Sequence, residues 1–159
     1  MDTCRKPIFT SLPKIFCWGI FFLTLTACAT RRYTDPLSAA DRLNLGLAYE
    51  QRGDWEQALI EYQRAERGDM TATARTYAGN LHLNRKAYEP AERAYRSALR
   101  ADPNHIMALN NLAWLLAETD GDLQEAESLA LQALDQQPDP KDPIENTLRI
   151  IREKRSIPQ

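Results

Sequence analysis

The sequence predicts an all-α chain: a short solenoid of three helix-turn-helix repeats over residues 38–140, closed by a C-terminal capping helix within 141–159. Three observations predict it. A triplet of small, aromatic and small residues, Ala58-Tyr62-Ala65, returns 33 residues later as Ala91-Tyr95-Ala98, and 35 residues after that as Ala126-Ala130-Ala133. Upstream of each triplet lies a second helical segment in common register, carrying Leu45-Gly46-Tyr49, Ala78-Gly79-His82 and Leu112-Ala113-Leu116. Between the segments stand glycine–aspartate turns, Arg52-Gly53-Asp54 and Asp120-Gly121-Asp122. A period of this length marks stacked helical hairpins, none of which buries its apolar face alone.

The chain has 159 residues, 43% hydrophobic and 26% charged, with a net charge of −2. That composition excludes wholesale disorder and a multi-span membrane protein. It also disfavours a nucleic-acid binder, which needs a concentrated Lys/Arg surface.

Residues 1–27 read as an export signal. Arg5, Lys6 and Lys14 precede an uncharged run of 13 residues from Ile15 to Ala27. A spanning helix needs about 20 apolar residues, whereas a run of this length suits the apolar core of a signal. The run ends Leu25-Thr26-Ala27-Cys28, which resembles the lipobox of bacterial lipoproteins. The resemblance implies a diacylglycerol on the Cys28 thiol, cleavage before Cys28, and an N-acyl chain such as palmitate on the new amino group. An ordinary secretory signal with an incidental Cys28 is the alternative. Cys4 and Cys17 would leave with the signal, so no disulfide is possible within one mature chain. Two or three acyl chains, at about 0.8 kcal/mol per buried CH₂, hold a protein on a bilayer far more firmly than one.

Without residues 1–27, which hold three basic residues and one acidic, 17 Lys+Arg face 21 Asp+Glu, a mildly acidic body at −4. Residues 28–37 are the lipidated cysteine and a tether. Ala29 to Leu37 has no helical periodicity, contains Pro36, and reaches at most about 30 Å. Arg31 and Arg32 fall where anionic headgroups would be. Ala29 stands where an aspartate would resemble the inner-membrane retention signal of enteric bacteria, so the expected site is the periplasmic face of the outer membrane.

Within each repeat, small or apolar residues at i, i+3 or i+4 and i+7 place one stripe on each helix toward its neighbour. Gly46 and Gly79 sit mid-helix, where glycine costs up to about 1 kcal/mol against alanine unless close helix approach compensates. Gly53 and Gly121 are expected to take positive φ, with Asp54 and Asp122 as N-caps opening capping boxes, Asp54-Trp55-Glu56-Gln57 and Asp122-Leu123-Gln124-Glu125.

At these positions the chain resembles the tetratricopeptide repeat, a 34-residue unit that favours leucine, glycine and tyrosine in its first helix, alanine, an aromatic and alanine in its second, then proline. Pro103 and Pro138 fall at that last place. The resemblance implies a right-handed solenoid with units starting near Ala39, Ala72 and Ile106. Three departures stand out: Arg42 replaces the expected tryptophan, Met70 the expected proline, and Lys86-Ala87 the glycine–aspartate turn. That turn should be strained or rebuilt, with Pro90 tolerated near the start of the next helix.

After Lys141, Asp142 is placed to cap a shorter helix and Pro143 to open it, with a stripe of Ile144, Leu148 and Ile151 to cover the third unit. Arg149, Arg152, Lys154 and Arg155 complement the dipole at its C-terminus.

Chemistry is conspicuously thin. The two histidines, His82 and His105, make no zinc constellation, and the phosphate-, nucleotide- and nucleophile-binding motifs are missing. Asp120 and Asp122 flank a glycine but lack the ligand count of a calcium site. The chain is therefore expected to be no enzyme, with no metal, no cofactor beyond its acyl chains, no small-molecule substrate and no nucleic-acid partner.

What remains is a concave groove. By the family resemblance it is lined by Ala40, Leu43, Leu47 and Glu50; Thr73, Thr76, Asn80 and Leu83; Met107, Asn110, Trp114 and Ala117. Asn80 and Asn110 can bond peptide amides. Trp114 is the first candidate for a binding hot spot, a buried structural role being its alternative. Leu43 and Leu47 occupy places where the family's carboxylate clamp has polar residues, so recognition of a C-terminal carboxylate is not expected. The architecture, including Asn110-Asn111-Leu112-Ala113-Trp114, resembles lipoproteins that assist type IV pilus secretin assembly. The resemblance implies a lipid-anchored scaffold for a protein partner in the bacterial envelope. An adaptor for peptidoglycan hydrolases and a self-associating structural lipoprotein are the alternatives.

Overall fold

The computed structural model describes residues 36–136 and 143–156. The expected signal, Cys28, Arg31, Arg32, Pro138 and the Asp142 cap lie outside them. The described residues form seven α-helices: α1 (Ala39–Gln51), α2 (Trp55–Ala65), α3 (Met70–Asn84), α4 (Tyr88–Ala101), α5 (Ile106–Glu118), α6 (Leu123–Gln136) and α7 (Pro143–Ser156). Helices α1/α2, α3/α4 and α5/α6 pair as hairpins, each hairpin packs on the next, and α7 closes on α5 and α6. The first helices, α1, α3 and α5, touch in a row that α7 continues. None of these helices is long and apolar enough to cross a membrane.

The repeated triplets are the buried seam. Ala58, Tyr62, Ala65, Ala91, Tyr95, Ala98, Ala126, Ala130 and Ala133 are all inaccessible to solvent or nearly so. Each tyrosine ring packs against the mid-helix glycine of its own hairpin, Tyr62 on Gly46 and Tyr95 on Gly79; a Cβ built on Gly79 would stand 2.5 Å from Tyr95 Cε1. The glycine's cost in helix propensity is thus offset by a ring packed where a methyl group would be. In the third hairpin both partners change together, to Ala113 and Ala130, and both are buried.

The turns share one backbone solution with three different residues. After α1, Gly53 has φ +81°, its N–H bonds Glu50 O at 3.0 Å and the next N–H, of Asp54, bonds Tyr49 O at 2.9 Å. This is the left-handed helix stop that satisfies two orphan carbonyls. After α3 the same pair of bonds runs from Lys86 to Leu83 and Ala87 to His82, with Lys86 itself at φ +57°. The expected strain is real, because a side chain sits in a conformation that favours glycine. After α5 the left-handed residue is Asp120, φ +53°, and not Gly121 as the sequence suggested. The residue added in the 35-residue interval is Asp122, Gly121 taking the place of Asp54 and Ala87. Gly121 follows the left-handed position, donates to Leu116 O at 2.8 Å, and is tight against Leu116, whose Cδ2 a Cβ would meet at 3.0 Å.

Caps also differ from expectation. Asp54 occupies the N-cap of α2 but its side chain makes no capping bond, because its ψ of 64° is not the extended backbone a capping side chain needs. Asp122 does cap, accepting from Gln124 N at 2.8 Å and Glu125 N at 3.1 Å. The reciprocal half of that box is lost, since Glu125 turns to Arg96 on α4 in a two-pronged pair at 2.6 and 2.9 Å. A full capping box forms instead at α1: Ser38 Oγ accepts from Asp41 N, and Asp41 Oδ2 accepts from Ser38 N. The same Ser38 hydroxyl, donating to Asp41 at 2.7 Å, holds that carboxyl below its ordinary pKa.

Arg42, where the family's tryptophan was expected, pairs with Glu61 at 2.5 Å, and the Glu61 side chain is only 5% exposed. Arg64 holds its other oxygen at 2.8 Å. Pro90 is the third residue of α4, in the first turn where its missing N–H is not needed. Pro143 opens α7, whose Ile144, Leu148 and Ile151 are buried. The basic end of α7 faces acids and a carbonyl: Arg152 and Arg155 pair with Glu127, and Lys154 donates to Ala117 O at the end of α5 and to Asp120.

Candidate functional site

The inner row α1, α3, α5 and α7 carries the candidate groove, and the neighbouring helices decide which of its expected residues remain accessible. Three do not. Leu43 is 6% exposed and belongs to the core around Tyr62. Thr76 is fully buried and turns its hydroxyl onto Ala72 O at 2.8 Å, while Ala117 is buried at the end of α5. These positions point between helices, where the packing of α2 or of the next unit covers them.

Others are accessible but already engaged. Glu50 accepts from Tyr62 Oη at 2.8 Å and from Asn84 Nδ2 at 3.1 Å. With burial acting first and Glu50 second, the Tyr62 phenol is held above its usual pKa; burial raises that of Tyr95 as well. Asn80 Oδ1 receives both Tyr95 Oη at 2.8 Å and Asn111 Nδ2 at 2.7 Å, which uses both lone pairs. Its amide oxygen is therefore a structural bridge between α3, α4 and α5 and is not free to read a peptide. Thr73 Oγ1 lies 3.2 Å from His105 Nε2. His105 is the N-cap of α5: its Nδ1 accepts from Ala108 N at 3.3 Å, which requires that nitrogen to be unprotonated.

What the groove offers outward is concentrated on α5. Met107 is 41% exposed. Trp114 and Leu83 are half-buried against the α4–α7 core, and Trp114's indole N–H makes no hydrogen bond among the described residues. Ala40 is exposed and Leu47 half-buried. Asn110 Oδ1 is the sole buried side-chain polar atom among the described residues without a hydrogen-bond partner. A buried acceptor left in that state costs about 1–3 kcal/mol.

Two cavities adjoin along this face. One, of about 470 Å³, lies between α3, α5 and α7 and is lined by Asn80, Leu83, Asn84, Asn110, Asn111, Trp114, Pro143, Asn146 and Thr147. The other, of about 530 Å³, lies at the starts of α5 and α7 and is lined by Asp102, Asn104, His105, Ile106, Met107, Asn110, Asn111, Pro143 and Ile144. Asn84, Asn111, Asn146, Pro143 and Ile144 were not singled out for this face from the sequence. The first two are neighbours of the expected positions, and the last three come from α7, which continues the row in the manner of a fourth inner helix. Among the described residues no group of three or more His, Cys, Asp or Glu could hold a metal ion.

The family model for the tetratricopeptide repeat matches residues 28–74 and 77–143. The chain belongs to the tetratricopeptide repeat family. Its helical hairpins resemble the first such domain of Spaghetti (RPAP3), solved with the HSP90 peptide SRMEEVD, at a TM-score of 0.66 and 18% identity over 79% of this chain and 99% of that one. They also resemble PilF of Pseudomonas aeruginosa, at a TM-score of 0.64 and 26% identity over 74% of this chain and 53% of that one. In sequence the chain is 33% identical over 111 residues to the protein O-mannosyl-transferase Tmtc3 of Drosophila melanogaster. That match covers 60% of this chain but only 12% of the relative. Tetratricopeptide repeats are scaffolds for protein–protein contact.

Proposed function

We propose that this chain is a lipid-anchored scaffold of the bacterial cell envelope, tethered through Cys28 at the periplasmic face of the outer membrane, whose inner helix face holds a polypeptide partner during assembly of a pilus secretin. The observation that carries the binding role is the pair of adjoining cavities along α3, α5 and α7, lined by several asparagines and, in one of them, by Trp114. A peptide backbone supplies donors and acceptors for the amide groups of this face that the fold leaves unengaged. The domain of Spaghetti solved with a peptide is a precedent for this use of the fold.

The anchor is supported by Leu25-Thr26-Ala27-Cys28, and the assembly role by the likeness to PilF. Cys28→Ser should move the protein from the membrane fraction to the soluble periplasm; persistence in membranes contradicts the anchor. Affinity capture from solubilised envelopes should enrich a secretin, and Trp114→Ala should abolish that enrichment while leaving helicity intact. Absence of secretin from the captured material contradicts the assembly role.

A further inference from the structure

We propose that Met107 is a site of reversible oxidation, its sulfoxide held by the side-chain amide of Asn80, and that this modification weakens the hold of the inner face on the bound polypeptide. The last part rests on the groove reading above; the oxidation site itself does not. Met107 is 41% exposed, so its thioether is open to small oxidants. Met70, the other methionine among the described residues, is half-buried against the core around Tyr62.

Exposure alone makes a thioether oxidisable, and Asn80 distinguishes this one. The Asn80 amide is fixed through its oxygen, which receives Tyr95 Oη at 2.8 Å and Asn111 Nδ2 at 2.7 Å. Its nitrogen has two hydrogens to donate, and among the described residues its one partner is Met107 Sδ, 4.0 Å away. A thioether sulfur is a weak acceptor, whereas oxidation makes the group a polar, chiral sulfoxide. The fold therefore holds an under-used donor beside the atom that oxidation equips with an acceptor oxygen. With hydrogen peroxide as oxidant, a sulfur lone pair attacks one peroxide oxygen and the O–O bond breaks as the S–O bond forms. The departing hydroxide takes the proton from the transferred oxygen, so the products are sulfoxide and water, and sulfur has lost two electrons to the peroxide. A methionine sulfoxide reductase reverses the change.

The position of the contact gives the modification its consequence. Asn80 lines the cavity between α3, α5 and α7, Met107 lines the one at the starts of α5 and α7, and Asn110 and Asn111 line both. Oxygen on Met107 replaces apolar wall with a polar group, and its bond to Asn80 ties α5 to α3 where the two cavities adjoin.

The test treats full-length protein in detergent micelles with hydrogen peroxide and follows each methionine by peptide mass mapping. Met107 should be oxidised about fivefold faster than Met70, and a methionine sulfoxide reductase should restore it. Asn80→Asp keeps an oxygen for Tyr95 and Asn111 but removes the donor, so oxidation should lower the melting temperature of that variant by about 3 °C more than that of the unaltered protein. Oxidation should also reduce capture of the secretin about tenfold, whereas Met107→Leu should make capture resistant to peroxide. Equal oxidation of Met107 and Met70, or equal thermal losses with and without the Asn80 donor, overturns the sulfoxide site. Should Asn80→Asp fail to fold, the two oxidation rates and the peroxide resistance of Met107→Leu decide the matter. Capture undiminished by oxidation of Met107 overturns its control of the groove. Failure to capture a secretin before any oxidation overturns the groove reading instead, and the mapping and melting results still decide the site.

Discussion

Gly79 and Tyr95 are complementary: the tyrosine ring occupies the space a Cβ at position 79 would need, with Cε1 only 2.5 Å from it. Gly46 and Tyr62 repeat the relationship in the first hairpin. Alanine is better than glycine in a helix by about 1 kcal/mol, yet Gly79→Ala should destabilise the protein by about 1–3 kcal/mol because the ring has nowhere to move. In a Tyr95→Ala background the same change should become stabilising. Urea unfolding of the two singles and the double measures the coupling; additive effects would contradict the assigned contact.

Lys86 stands where the first turn has Gly53, in left-handed backbone at φ +57°. Lys86→Gly should raise stability by about 1 kcal/mol, the usual penalty for a side chain in that region. Gly53→Ala, at φ +81°, should lower it by a similar amount. Thermal unfolding of both variants provides the check.

His82 gives the stability its expected pH dependence near neutrality. Burial first, then Arg85 and Arg93, hold its pKa below the ordinary 6.5. The unfolded chain therefore takes up the proton at a higher pH than the folded one. Stability from this group is complete above pH 6.5 and declines as the pH falls from there through the lowered folded value. The melting temperature should fall between pH 7.5 and 5.5, and His82→Asn should reduce that fall. An unchanged pH dependence in the variant would contradict the assignment.

His105 caps α5 through its unprotonated Nδ1. His105→Ala should cost about 0.5–2 kcal/mol, as loss of an N-cap does. His105→Asn, which can accept the same bond from Ala108 N, should recover most of it. Chemical unfolding of the pair distinguishes a capping role from simple packing, since packing alone would not favour asparagine over alanine.

The helices and the seam were legible because their signals are local and repeated: Ala58-Tyr62-Ala65 and its two copies report one buried stripe, and Gly46 and Gly79 report one close approach. Where tertiary contacts decide, the sequence pattern misled. Nothing within Asp120-Gly121-Asp122 indicates that the left-handed residue is the aspartate. Thr76 and Asn110 both hold inner-helix positions of the repeat, yet Thr76 is buried behind its own helix bond while Asn110 borders both cavities. Asn80 reads as an amide free to bind a peptide until Tyr95 and Asn111 are seen to claim its oxygen. The Ile144-Leu148-Ile151 stripe announces that α7 covers the third unit, but not that Asn146 and Ile144 thereby join the lining of the cavities.

The central claim is that the face formed by α3, α5 and α7 holds the partner. Site-specific photocrosslinking in intact cells tests it most directly, with the probe placed at position 114 on that face and, for comparison, at position 131, where Leu131 is 44% exposed on α6. A discrete crosslinked polypeptide is expected from position 114 and none from 131. A crosslink from position 131 alone, or none from either, would contradict the account.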